Sequence, residues 1–337
     1  MQWVDLFHNY NMERALEHTP AKDEEWHDLR ENGERQYFLC TWYPTEGGTR
    51  VQPRAAVVFV HGFAEFIERY DWAFRYFADH GVLVSGFDQR GYGRTWYNQP
   101  HPELTHGWTT WSDQITDVGH MIRLVRARLD AAWGKDTVPI FLMGHSMGGG
   151  ISSAFLTRDA GAGPSRELMG LVLGVMLSAP WLDIHFPIPS WLGSYIMTGV
   201  LALFPRIRIP LGPTANELSR DPEVVREIRR NPLHNNYVYT RGLYDPLSGG
   251  PKIVSQDYHK WPEHVPLLIA HGTGDVVTRA DASETLVRHL REIGRDAEYA
   301  PFAGYYHELL YEPGDYKIKV ADTYLAWLDR HLTARTQ

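Results

Sequence analysis

Short apolar runs separated by amphipathic stretches dominate the first half of the chain. Ala55 to Val60 (AAVVFV) is a β-rich run that stops at His61-Gly62. Charged and aromatic residues then alternate with helical spacing from Phe66 to His80. Val82 to Phe87 (VLVSGF) is the next run and stops at Asp88. Trp111 to Trp133 places Ile115, Val118, Ile122, Val125 and Leu129 on one face of a long helix. Ile140 to Met143 (IFLM) ends at Gly144, and helix resumes through Phe155 and Leu156. Strands apolar at every position are those covered by helices on both faces, as in parallel sheets. The pattern predicts an α/β fold with a mostly parallel, doubly wound sheet.

After Leu171 to Leu177 the rhythm breaks. Residues 181–261 hold many prolines and no clear strand. Within them Ser190 to Phe204 reads as an apolar helix capped by Ser190. The alternation returns with a strand at Val265 to Ala270, a helix from Ala280 to Ile293, a strand at Ala297 to Phe302 and a helix from Tyr316 to His331. The organisation expected is one α/β core, residues 35–180 and 262–337. Residues 181–261 form a cap or lid inserted into it, and residues 1–34 an N-terminal extension.

Composition narrows the function classes. Of 337 residues, 43% are hydrophobic and 22% charged, enough apolar surface for a sizeable core. The net charge of −8 without a basic block argues against a nucleic-acid partner. The single cysteine, Cys40, excludes an intrachain disulfide and a cysteine-based zinc site. Met1 to Tyr10 contains Asp5 and neither Lys nor Arg, unlike the basic start of a signal peptide. The longest stretch free of Asp, Glu, Lys and Arg, Ile184 to Pro205, is broken by Pro187 and Pro189. Its remainder is shorter than the roughly 20 residues a bilayer span needs. A soluble, intracellular, cytoplasmic protein is expected. Peripheral contact of the apolar segment with a membrane or lipid droplet is left open.

Gly144-His145-Ser146-Met147-Gly148 fits G-x-S-x-G, directly after a strand and at the start of a helix. Flanking glycines permit so tight a reversal, which lifts the serine hydroxyl above the sheet. The alternative is a helix-capping serine in a glycine-rich turn. A serine nucleophile needs a base. His307 lies after the last strand, in Ala303-Gly304-Tyr305-Tyr306-His307, whereas His289 and His331 fall inside helices. His145 adjoins the serine, with its side chain expected to point away. Asp275, after His271-Gly272-Thr273-Gly274, would orient the imidazole; alone it could equally be a turn or cap residue. Ser146, Asp275 and His307 stand in the order that the α/β-hydrolase fold expects. The backbone N–H groups of Phe63 and Met147 would form the oxyanion hole. His307-Glu308-Leu309-Leu310-Tyr311 lacks the second histidine of a zinc-protease motif, and no phosphate loop is present. Neither a metal nor a cofactor is expected.

Four segments together resemble the monoglyceride lipases: His61-Gly62-Phe63-Ala64-Glu65, Phe87-Asp88-Gln89-Arg90-Gly91, Gly144 to Gly150, and His271 to Asp275. They also fit the wider group of serine hydrolases that includes lysophospholipases. Arg206-Ile207-Arg208 and Asp245-Pro246-Leu247 are closer to the microbial-eukaryote branch. The resemblance covers about residues 35 to 333. It implies hydrolysis of a monoacylglycerol to glycerol and fatty acid without a metal, with the family roles on Ser146, Asp275, His307, Phe63 and Met147. Glu65 and Arg69 match polar positions near the glycerol end of the family's site, or form a surface ion pair. Ala64 replaces the family's usual glycine, which puts the geometry of Phe63 in question.

The inserted segment agrees on a greasy substrate. Trp191, Tyr195, Ile196, Val200, Leu201 and Phe204 would roof the site and enclose a single acyl chain. About ten methylenes at ~0.8 kcal/mol each would position that chain. Alternatively the helix packs only on its own domain. Three rivals remain: a lysophospholipase or general carboxylesterase, a non-catalytic binding module, and a peptidase or amidase. For the last, Glu217, Glu223 and Glu227 could receive a free amine.

Overall fold

The computed structural model describes residues 15–30, 36–97, 106–158, 166–185, 206–210, 212–234 and 237–335, with 192–193, 196, 199–200 and 203–204 between them. The strands are β1 Lys22–His27, β2 Tyr37–Trp42, β3 Thr45–Glu46, β4 Thr49–Arg50, β5 Ala55–Val60, β6 Val82–Phe87, β7 Ile140–His145, β8 Val172–Ser178, β9 Arg208–Pro210, β10 Tyr237–Tyr239, β11 Leu267–Gly272 and β12 Ala297–Phe302. The helices are α1 Asp71–Asp79, α2 Gly93–Tyr97, α3 Trp111–Trp133, α4 Met147–Thr157, α5 Arg166–Met169, α6 Ala215–Leu218, α7 Pro222–Arg230, α8 Thr240–Ser255, α9 Ala280–Glu292 and α10 Tyr316–Arg335.

Eight strands form one sheet in the order β1-β2-β6-β5-β7-β8-β11-β12. The pairs β1–β2 and β2–β6 are antiparallel, and every later pair is parallel. Side-chain alternation sends Ala56, Val58 and Val60 to a core shared with α3, α4, α8 and α9. It sends Ala55, Val57 and Phe59 to a second core with α1 and α10. All six residues of β5 are buried, which is why this strand reads as an unbroken apolar run. From β5 the chain steps one way to β6 and then the other way to β7. The carboxyl ends of β5 and β7 therefore open the crevice where ligands of such sheets bind.

Two features depart from the sequence expectations. Residues 22–27, assigned to an extension outside the core, form its edge strand β1. Its sequence, KDEEWH, hides this because Lys22 and Glu24 are buried as an ion pair at 2.8 Å, with Asp71 at 3.2 Å from the ammonium. The segment 181–261, expected to lack strands, contains the antiparallel pair β9–β10. Each strand spans three residues, too few to leave a period. Of the helix expected over Ser190 to Phe204, residues 192–193, 196, 199–200 and 203 are helical, and Ser190 lies outside the described residues.

Candidate active site

Ser146 sits on the turn between β7 and α4 with φ +50°, a left-handed conformation that non-glycine residues rarely adopt. The turn is tied down on every side. Ser146 N–H donates to Ser178 O (2.9 Å), and Ser146 O accepts from the N–H groups of Gly149 and Trp181. A Cβ on Gly148 would strike the Val60 carbonyl, and one on Gly144 would lie 2.5 Å from Gly148 O. Close packing thus requires both flanking glycines, Gly148 against β5 and Gly144 against α4.

His307 and Ser146 line one cavity of about 320 Å³. His307 Nδ1 lies 2.7 Å from Asp275 Oδ2. Asp275 is itself held by the fold: its Oδ1 accepts from the N–H groups of Val277 (2.7 Å) and Thr278 (3.1 Å), and its Oδ2 from Thr278 Oγ1 (2.8 Å). His271 Nε2 stands 3.1 Å from the same oxygen, with Ser283 Oγ at 2.9 Å from its Nδ1. Burial opposes the charge on Asp275. The adjoining His307 and His271 overcome this and hold the carboxyl well below its usual range. Burial likewise opposes a charge on His307, but Asp275 raises its pKa above the ordinary 6.5. No hydrogen bond joins Ser146 Oγ to His307 among the described residues. Without substrate such contacts are often long, and they tighten in the complex. An imidazole backed by a carboxylate, in the same cavity as a serine, can pass a proton from hydroxyl to leaving group.

The loop after β5 approaches from the other side. A Cβ on Gly62 would lie 3.1 Å from Ser146 Cβ. His61 fixes this loop. Its Nδ1 donates to Gly62 O (2.8 Å), and its Nε2 accepts from Gln89 N–H (2.9 Å). Gly62 N–H is taken by Glu65 Oε2 (2.6 Å). Ala64 has φ +56°, where glycine would be unstrained. The fold accepts alanine there, and Ala64 lines the cavity. Met147 opens α4, whose N-terminal N–H groups favour negative charge nearby.

Glu65 and Arg69 do not form a surface pair. Both are buried with Glu308, and Arg69 Nη1 contacts both carboxylates. Tyr70 OH donates to Glu65 (2.6 Å). Burial pushes Glu308 up to about 7, with the negative Glu65 adding to the rise against the pull of Arg69. His145, expected to point away, lines the cavity instead, its ring centroid 4.9 Å from that of His307. Its Nδ1 faces Ser178 O (3.1 Å), and its Nε2 lies 4.0 Å from both Glu65 and Glu308. Ligand atoms of Glu65, His145 and Glu308 all fall within 4.8 Å of one another, a spacing that could hold a metal ion. Arg69 Nη1 already supplies positive charge to both carboxylates there.

The apolar wall comes from Phe63, Trp181, Ile184, Leu218, Leu243 and Val276. Of the roof expected from the inserted helix, Trp191, Tyr195 and Leu201 lie outside the described residues. Ile196, Val200 and Phe204 are absent from the cavity lining; Ile196 and Phe204 face solvent, 52% and 57% exposed. The insertion contributes Leu218, His234 and Leu243 in their place. Glu217 borders the cavity, but its carboxylate accepts from Thr214 N–H and Oγ1, both at 2.7 Å. Glu223 pairs with Arg226 on an exposed face. Glu223 and Glu227 are absent from the cavity lining. Sequence reasoning gave no role to His271 or Thr278, although His271 lies in the HGTGD motif that carried Asp275.

Residues 51–314 match the model of the family described as serine aminopeptidase, S33. A monoacylglycerol lipase of Mycolicibacterium smegmatis is 30% identical over 83% of this chain and 90% of its own. A monoglyceride lipase of Saccharomyces cerevisiae is 25% identical over 91% and 94%. A soluble variant of a Saccharomyces cerevisiae monoglyceride lipase, solved with a substrate analogue, superposes with a TM-score of 0.77 at 20% identity, covering 96% of this chain and 98% of that one. A carboxyl esterase of Bacillus coagulans, solved with glycerol, gives 0.75 at 20% identity over 93% and 99%. These two share the fold. The chain is a serine hydrolase of the monoglyceride lipase family, within the α/β-hydrolase superfamily.

Proposed function

We propose that the protein hydrolyses monoacylglycerols to glycerol and free fatty acid through an acyl-enzyme on Ser146. The observation that carries this is a single cavity lined by both Ser146 and His307, the latter aligned by Asp275, between an apolar wall and a buried polar pole. Ser146 Oγ attacks the ester carbonyl while His307 Nε2 takes its proton. The N–H groups of Phe63 and Met147 receive the oxyanion. His307 returns the proton to the departing glycerol oxygen. Water, deprotonated by the same ring, then releases the fatty acid and restores Ser146. Phe63, Trp181 and Leu243 hold the acyl chain, and Glu65, held by Arg69, lies at the glycerol end. The names of the related lipases support the substrate class.

Residues 181–261 act as a cap over the strand ends, in a cytoplasmic, intracellular enzyme. Leu203, Phe204 and Ile207 are exposed beside Arg206, an apolar and basic edge suited to peripheral contact with a membrane or droplet surface. No helix among the described residues is long and apolar enough to cross a membrane.

The test is turnover by purified protein of a long-chain monoacylglycerol against lysophosphatidylcholine, p-nitrophenyl acetate and an aminoacyl amide. The monoacylglycerol should give the highest kcat/KM, and Ser146→Ala should lose about 10⁴-fold or more. Preference for the lysophospholipid or the amide would overturn the substrate assignment.

A further inference from the structure

A second histidine stands behind the triad carboxylate. His271 is the penultimate residue of β11, and the turn Gly272-Thr273-Gly274 folds the chain back, with Asp275 N–H donating to Gly272 O (3.2 Å). The motif thus lays Asp275 against its own strand end. There Oδ2 meets His307 Nδ1 at 2.7 Å, Thr278 Oγ1 at 2.8 Å and His271 Nε2 at 3.1 Å. An ionised carboxylate only accepts, so the ring proton of His271 sits on Nε2 and is donated to Oδ2. Its Nδ1 lies 2.9 Å from Ser283 Oγ, one turn into α9, and a hydroxyl can donate to that lone pair. One ring proton and one hydroxyl proton therefore satisfy both nitrogens in a single tautomer. His271, Ser283 and Thr278 are fully buried, so water does not compete for these bonds. His271 and Ser283 are absent from the cavity lining, so a substrate held there touches neither.

We propose that His271 is a positioning residue for the hydrolysis: its Nε2–H, locked in place by Ser283, holds Asp275 Oδ2 against His307 Nδ1 and takes up part of the charge which that oxygen presents to His307. This rests on the ester-hydrolase assignment above. A hydrogen bond donated to a carboxylate is stronger than one between neutral groups, and this one acts at the oxygen shared with the base. The positive end of the N–H dipole also faces the place where the His307 imidazolium forms. It keeps that ring from becoming too strong a base to return its proton to the leaving alcohol. His307 also faces Glu308, Glu65 and the ring of His145, all of which the variants below leave in place.

The test is the pH profile of ester hydrolysis by the full chain, on a monoacylglycerol and on p-nitrophenyl acetate, with kcat and KM separated. His271→Leu should lower kcat about 10- to 100-fold and change KM less than about twofold. Without the N–H more of the Asp275 charge bears on His307, so the acid limb of kcat/KM should move to higher pH, opposite to the shift that Asp275→Asn should give. His271→Gln, whose amide N–H reaches about as far as Nε2, should recover most of kcat and bring the limb back toward wild type. Ser283→Ala should move the limb the same way as His271→Leu, but by less. A His271→Leu limb that is unmoved or moves down would make His271 a packing residue and overturn the proposal, as would an equal loss in His271→Gln. If His271→Leu fails to fold by thermal melting, Ser283→Ala decides, and an unmoved limb there overturns it. Wild type that hydrolyses neither ester would instead remove the hydrolase assignment, and this proposal with it.

Discussion

Asp275 uses both carboxylate oxygens within the fold, on backbone N–H groups, Thr278 and two imidazoles. Its charge therefore falls on His307 from a fixed direction. For a histidine base the neutral ring is the active form, so kcat/KM should rise as pH passes upward through the raised pKa of His307. The acid limb of the pH profile is expected above pH 6.5. Burial lowers the His307 pKa, and Asp275→Asn removes the largest charge that opposes it, leaving the weaker pull of Glu308 and Glu65. The residual activity of this variant, about 10⁴-fold weaker, should show the limb shifted to lower pH. A limb that does not move would separate Asp275 from the base.

Arg69 is a second residue whose role is electrostatic. It is buried between Glu65 and Glu308, and its removal leaves two carboxylates facing each other without a cation. Arg69→Met should lose about 3–5 kcal/mol of stability at pH 8. At pH 5 protonation relieves the repulsion, so the loss should be smaller. Urea unfolding at the two pH values measures the difference.

At the scale of elements, the turn from β7 into α4 is the most constrained piece of backbone near the site. Gly148→Ala would press a methyl group against the Val60 carbonyl. About 1–3 kcal/mol of destabilisation is expected, together with loss of ester turnover as the turn shifts. Denaturant midpoints and kcat on the same preparation would show both. This turn was legible in the sequence because its chemistry needs specific residues at fixed spacing. The buried strands β5, β6 and β7 were legible because burial on both faces demands unbroken apolar runs. The edge strand β1 was not, since its buried positions hold the charges Lys22 and Glu24, paired with each other. The side-chain direction of His145 was also hidden. It depends on a bond to Ser178, at the end of a neighbouring strand, which no local spacing records. The places of Ile196 and Phe204 were misread for a similar reason. An apolar helix can face substrate or solvent, and the exposure of Ile196 and Phe204 shows which holds for these two residues.

At the scale of the molecule, the insertion is joined to each loop that bears the site. Ile184 bridges to Thr278, and His185 N–H donates to Val277 O (3.1 Å), beside Asp275. Glu308 N–H donates to Leu218 O (3.0 Å), next to His307. His234 meets Phe66, in the loop after β5, edge to face with centroids 5.4 Å apart. The base of the insertion thus belongs to the scaffold of the site. The second core lies on the sheet face packed by α1 and α10 and shares no residue with the cavity lining. Trp327 is fully buried there against Phe141. Trp327→Ala should cost about 3–5 kcal/mol. Its kcat per folded molecule, counted by active-site titration at low temperature, should remain within about twofold of wild type.

The central claim is that Ser146 is the nucleophile of an ester hydrolase. Its most direct measurement is labelling of the intact protein with a fluorophosphonate, with the adduct mapped by mass spectrometry alongside monoacylglycerol turnover. One adduct is expected, on the peptide containing Ser146, with turnover lost in step with labelling and both absent in Ser146→Ala. Full turnover with Ser146 unlabelled, or undiminished turnover by Ser146→Ala, would contradict it.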